Sequence, residues 1–353
     1  MNLYVHFPFC RGRCAYCALL SRAGATPAAR AAYVDRVARE IVACRAAPRT
    51  VYFGGGTPAL CDLEPVFAAL RAKGPPPDEF TVELHPRDVV PGMLGRLRAG
   101  GVNRVSLGVQ SFDDDVLRAM GRGHSADGAA EAFRRIRDVF PNAGLDLIAG
   151  WPGTSDASWR ATVARALALG PVHVSCYSLI REPKTRLDLA VRRGEVELPD
   201  DDAALAQVAS ARDAFAAAGF RRYEVSNYAL PGFECRHNRA VWRGEDYAGI
   251  GEGAHGRDGL SRTVGTRGGY DVTSVTAEED ALERALMGLR TADGIDLARI
   301  AAVWPRLIPR LPAWRDRLQA LVAPGILASP VPDRFVPTDR GFEVCDAVMA
   351  ELL

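Results

Sequence analysis

Three cysteines stand close together near the start of the chain. Cys10, Cys14 and Cys17 lie in FCRGRCAYC, spaced C-x3-C-x2-C. Thiolates bind iron and zinc strongly. Three thiolates on a [4Fe–4S] cluster leave one iron open to a small chelating ligand. Zinc is the alternative and needs a fourth ligand, for which His6 or His85 is available. A second feature follows the next β-type run: Gly54-Gly55-Gly56-Thr57-Pro58. Glycines there let backbone groups approach a ligand closely. Pro58 suits the first position of a helix. The run is not a G-x-G-x-x-G nucleotide fingerprint, because the spacing differs.

These residues need elements to hold them. The chain has 353 residues, 48% hydrophobic and 25% charged, with net charge +1. That length predicts one large domain and a smaller one. The near-neutral charge argues against a nucleic-acid partner held by bulk electrostatics. No apolar run is long enough to span a bilayer, and MNLYVHFPFC lacks signal-peptide character, so the expected location is cytoplasmic. Of the eight cysteines, Cys44, Cys61, Cys176 and Cys345 sit in apolar or amphipathic contexts and read as packing. A chain of this size does not need disulfides.

Short β-type runs at 3–7, 50–53, 80–84, 103–107, 145–150 and 172–179 alternate with helical stretches. The helices are expected at 28–44, 62–72, 89–99, 113–120, 126–140, 155–169 and 202–218. Six β-α units in a row imply an α/β fold with a parallel sheet. Nearly every polar motif falls at the C-terminal end of a strand, where (β/α) barrels place their sites, which favours a barrel. The domains are read as 1–220 for the barrel, 221–276 for an irregular segment packed on it, and 277–353 for a helical, winged-helix-like unit.

The strings YVHFPFCRGRCAYC, YFGGGTP, VELHP, NRVSLGVQSF, MGRGH and DLIAGWPG together resemble the radical S-adenosylmethionine (SAM) superfamily. Within it they are similar to the branch of oxygen-independent coproporphyrinogen III oxidases and heme chaperones, over essentially the whole chain. The resemblance implies a partial (β/α)6 barrel with a smaller C-terminal domain. It implies that Cys10, Cys14 and Cys17 ligate a [4Fe–4S] cluster and that SAM chelates the open iron. Tyr4, Tyr16, Gly55, Gly56, Thr57, Glu83, Gln110, Arg122 and Asp146 match or adjoin cofactor-contacting positions.

Two departures from the oxidase pattern favour the chaperone side. Leu19 stands where the oxidase has a further cysteine, and the first strand begins at residue 3. The segment around HNRAVW resembles a heme-associated motif, with His237 as the implied heme contact and Val241 in place of its tyrosine. The resemblance thus implies heme or a porphyrin as ligand, a recipient hemoprotein and an electron donor as partners. Decarboxylation of coproporphyrinogen III is the alternative activity. By itself, His237 reads more readily as a hydrogen-bonded residue of an ordered loop; the motif brings the heme reading level with it.

Overall fold

The computed structural model describes residues 1–352. Six parallel strands form its centre: β1 (Asn2–Phe7), β2 (Thr50–Gly55), β3 (Glu79–Leu84), β4 (Arg104–Gln110), β5 (Asn142–Ala149) and β6 (His173–Ser178). They neighbour one another in chain order. Helices α1 (Pro27–Ala43), α2 (Glu64–Lys73), α3 (Met93–Ala99), α4 (Asp114–Ala119), α5 (Ala126–Val139) and α6 (Asp156–Ala168) lie on the connections between these strands. Every strand and helix read from the sequence in this region is present, to within a few residues.

The strands alternate strictly. Leu3, Val5 and Phe7 of β1, Val51 and Phe53 of β2, and Val105, Leu107 and Val109 of β4 belong to one core with Val37 and Ile41 of α1 and Val66 and Phe67 of α2. Successive strand residues point to opposite faces. The other face therefore carries Tyr4, His6, Tyr52, Glu83, Arg104 and Asp146. The barrel wall is apolar where the helices pack and polar where it encloses space.

Residues 221–276 depart from the irregular segment expected. They supply strands to both edges of the sheet. β7 (Arg221–Arg222) and β8 (Asn227–Ala229) continue it antiparallel beyond β6. At the other edge β9 (Tyr247–Ile250) pairs parallel with β1, and β10 (His255–Asp258), β11 (Ser261–Gly265) and β12 (Tyr270–Ser274) follow as an antiparallel meander. These strands are short and rich in Gly and Arg, so their apolar period is too brief to read. They form because neighbouring edges offer unpaired backbone groups.

Two further helices were not separated in sequence or not seen at all. α7 (Arg186–Arg192) follows β6 and precedes α8 (Asp201–Ala217). α9 (Arg236–Trp242) closes the N-terminal end of the barrel. Its first backbone N–H groups, those of Arg236 and His237, each donate to Glu79 at 2.9 Å. The Cys235 thiol donates to the same carboxylate at 3.3 Å. His173 Nε2 lies 2.8 Å from Tyr223 Oη in the same layer. The C-terminal domain starts with α10 (Ala277–Met287) and has its own core around Leu289, Leu307, Trp314 and Phe335. It carries a three-stranded antiparallel sheet whose expected hairpin spans Leu327–Val331 and Arg334–Pro337. The last helix is broken at Val344 into two short ones. Among the described residues no helix is long and apolar enough to cross a membrane.

Glu79 is 3% exposed and holds the barrel's closed end. Glu79→Ala leaves buried donors without partners, at a cost of about 1–3 kcal/mol for each such group. A clearly lower denaturant midpoint is expected; an unchanged midpoint contradicts the role given to this carboxylate.

Candidate functional site at the open end of the barrel

The C-terminal ends of the strands surround a cavity of about 670 Å³. The cysteine loop forms one wall, and backbone contacts fix it on both sides. Gly56 N–H donates to Phe7 O at 2.8 Å and Thr57 N–H to Phe9 O at 2.7 Å. A Cβ on Gly56 would lie 2.5 Å from Phe9 O and 2.8 Å from Phe7 O. Glycine is required there because two backbones meet. On the far side, Ala15 N–H donates to Met120 O at 2.8 Å and Leu187 N–H to Ala15 O at 2.9 Å. Helix α7, unread in sequence, thus buttresses the loop.

The floor is built of charge. Tyr52 Oη donates to Glu83 Oε1 at 2.7 Å, and Gly55 N–H to Glu83 Oε2 at 3.2 Å. Ser106 Oγ donates to Asp146 Oδ1 at 2.9 Å. Burial pushes Glu83 up to about 7, and the Asp146 carboxylate beside it adds to the rise. Burial also raises Asp146, opposed by hydrogen bonds from Ser175 and Ser106. Arg122 reaches across: its guanidinium donates to Gly108 O and lies 3.5 Å from Cys14 Sγ. Its Nε is buried without a partner. Gln110 adopts a left-handed backbone (φ 72°) at a bulge in the β4–β5 register. Such a conformation is costly for a non-glycine residue and clusters at functional sites.

The structure brings most of the expected residues together. Cys10, Cys14, Cys17, Tyr16, Gly55, Gly56, Thr57, Glu83, Gln110, Arg122 and Asp146 all line this cavity. Tyr16 packs edge-on against Trp151, 6.1 Å between ring centroids. Tyr4 does not line it. Its hydroxyl is 3.1 Å from His6 Nδ1, and its ring lies 6.1 Å from that of Tyr52, deeper in the barrel.

His237 is elsewhere. It sits in the plug at the opposite end of the barrel, 4% exposed, with Nδ1 2.9 Å from Thr50 Oγ1 and its ring 5.3 Å from that of Tyr52. Burial holds its pKa down, near 4. This placement is that of a hydrogen-bonded packing residue and does not join His237 to the cavity. The reason is the anchoring of α9 by Glu79, a contact 158 residues away in sequence.

Other groups went unread. Tyr52 and Arg104 face inward by strand alternation alone. Tyr177 at the end of β6, and Leu179 and Ile180 just after it, reach the cavity mouth. His85, by contrast, was read in the sequence as an available ligand; it lines the cavity and lies beside His124, with ring centroids 5.0 Å apart.

The donor set fits an iron–sulfur cubane. All three cysteines are free, half-buried and on one wall. Among the described residues no three His, Cys, Asp or Glu groups converge on a point that would hold a single ion. A cubane asks for something different, since each cysteine ligates a different iron. The glycine cradle, the acidic floor and Arg122 leave polar partners beside it for an amino-acid-bearing ligand.

Comparison with known proteins agrees. Residues 4–166 match the radical SAM superfamily model. Heme chaperone HemW of Mycobacterium tuberculosis is 36% identical across 100% of this chain and 94% of its own length. This chain belongs to the HemW family of radical SAM proteins. HemW of Bacillus subtilis is 33% identical over 88% of each chain. A mouse mitochondrial radical SAM domain-containing protein is 37% identical over 72% of this chain and 60% of its own. The crystal structure of Escherichia coli coproporphyrinogen III oxidase, HemN, overlays with a TM-score of 0.84 at 21% identity, covering 99% of this chain and 89% of that one. That likeness establishes the fold, a radical SAM α/β barrel with an added C-terminal domain.

For a HemW-family chain the cavity makes two predictions. Gly56→Ala should displace the cysteine loop and reduce iron and sulfide content after anaerobic reconstitution; full loading contradicts the tight approach. Glu83 has a folded-state pKa above its ordinary 4.5. Its contribution therefore favours folding at low pH and is lost as pH rises from about 4.5 to about 7. The stability difference between Glu83→Gln and wild type should shift in the variant's favour across that window. A pH-independent difference contradicts the burial described.

Proposed function

We propose that this chain is a heme chaperone: it binds heme at the open end of the barrel and passes it to a hemoprotein. The observation that carries this reading is the cavity mouth. Leu19, Tyr177 and Ile180 are 54%, 43% and 69% exposed there. An exposed apolar rim marks a binding surface. A flat apolar macrocycle covers such a rim, and its anionic propionates find Arg87, which lines the cavity. The names of the HemW relatives point the same way.

Cys10, Cys14 and Cys17 would hold the [4Fe–4S] cluster. Gly55, Gly56, Thr57, Glu83, Gln110, Arg122 and Asp146 would seat SAM on its open iron. When bound and reduced, that pair supplies one-electron cleavage of the sulfonium. The chain's own residues do the rest. The glycine loop positions backbone groups, Arg122 places a positive charge beside the thiolates, and Tyr16 on Trp151 walls the cavity. The same leucine that departs from the oxidase pattern, Leu19, adds apolar area at the mouth.

Heme titration followed by the Soret band tests this. Leu19→Glu with Ile180→Glu should weaken binding at least about tenfold, since burying one leucine contributes about 1.5–3 kcal/mol. His237→Ala should retain the band but unfold at lower temperature. No Soret shift in wild type, with turnover of coproporphyrinogen III, overturns the proposal.

A further inference from the structure

The HNRAVW segment takes no part in the cavity wall, yet its histidine packs on a residue that reaches the floor. The His237 ring lies 5.3 Å from that of Tyr52, tilted by 35°. Tyr4 completes the group, 6.1 Å from Tyr52 and 6.5 Å from His237. Thr50 fixes the histidine. The Thr50 hydroxyl donates to Asn2 Oδ1 at 2.9 Å, so at its 2.9 Å contact with His237 it accepts from Nδ1–H. The ring is therefore set from the plug, which Glu79 anchors.

At its hydroxyl, Tyr52 meets the floor by donating to Glu83 Oε1 at 2.7 Å. A Cβ on Gly54 would lie 2.9 Å from Glu83 Oε2 and 3.1 Å from Tyr52 Cε1, so glycine there leaves room for the pair. Five groups face Glu83 across the barrel: Tyr4 of β1, Tyr52 of β2, Arg104 of β4, Asp146 of β5 and Tyr177 of β6. Among the described side chains only Tyr52 donates to its oxygens. Burial raises the Tyr52 hydroxyl far above its usual range, and the charge of Glu83 adds to the rise, so it stays a donor. A hydrogen bond to a carboxylate is stronger than one to a neutral acceptor. Tyr52 thus favours the ionised form of Glu83, against burial and Asp146.

We propose that Tyr52 is a positioning residue of the cavity floor: its hydroxyl holds the Glu83 carboxylate in place, and His237 holds the Tyr52 ring. The proposal rests on the reading of this cavity as the seat of SAM. Neither Tyr52 nor His237 lines the cavity, so both act through Glu83. The segment that resembles a heme-associated motif thereby supports the cofactor floor from the opposite end of the barrel.

Two measurements on the full-length chain test this. The first is carbon-13 NMR of labelled glutamate carboxyls in protein without cluster, following the resonance that Glu83→Ala removes. Tyr52→Phe fills the same space and cannot donate, so the Glu83 titration should move up by about one pH unit. His237→Ala should move it in the same direction. The second is SAM affinity by calorimetry on anaerobically reconstituted protein near neutral pH, expressed per loaded cluster. Tyr52→Phe should weaken SAM at least about fivefold. In a Glu83→Ala background the same substitution should add no further loss, because Tyr52 then has nothing to hold. A Glu83 titration unchanged in Tyr52→Phe, or equal losses of affinity with and without Glu83, overturn the role of Tyr52. A titration that moves in Tyr52→Phe and stays put in His237→Ala overturns the part given to His237. If the titration moves as expected while loaded wild type binds no SAM, the reading of the cavity as the SAM seat fails instead.

Discussion

A barrel with a polar inner wall must satisfy its charges from within. Arg104 is 1% exposed and stands at the centre of that constraint. It donates to Thr81 Oγ1 at 3.3 Å. Its charge acts on Glu79 and Cys235 toward the closed end, and on Glu83 and Asp146 toward the open end. Buried charges are tolerated only where partners and hydrogen bonds offset desolvation. The closed end meets this by capping α9 with Glu79. The open end leaves its two carboxylates hydrogen-bonded but short of ion-pair partners beneath a cavity. That shortage makes the floor receptive to a cationic, hydrogen-bonding ligand.

The cysteine loop depends on the same frame. It runs from the end of β1, is braced by the glycine run after β2, and rests on α7. Its thiols face the carboxylate floor across the cavity, with Arg122 bridging the two sides. Rigid strands therefore fix both halves of the site, and the loop needs little order of its own. Function at strand ends is a general property of such barrels. Here it follows from one alternation: apolar residues outward to helices, polar residues inward.

Much of this was legible in the residues. The six strands announced themselves by Val, Leu and Phe at alternate positions, and the cysteine spacing announced a metal centre. What stayed hidden depends on contacts distant in sequence. β9 reads as Tyr-Ala-Gly-Ile and becomes a strand only because β1 offers it an edge. His237 sits in a segment that resembles a heme-associated motif, yet Glu79 draws its helix into the barrel's closed end. Tyr4 shares a strand face with His6 and sinks below the cavity, since one residue along a strand shifts depth by about 3.3 Å. Exposure of Leu19 and Ile180 is likewise a property of the assembled rim, and no local pattern reports it.

The central claim is that Cys10, Cys14 and Cys17 hold a cubane with one iron open over this polar floor. Electron paramagnetic resonance of the reconstituted, dithionite-reduced protein, recorded before and after adding SAM, tests it most directly. A cubane on these three thiolates gives a reduced [4Fe–4S] signal whose g-values shift when SAM is added. Absence of that signal, or a spectrum that SAM leaves unchanged, would contradict it.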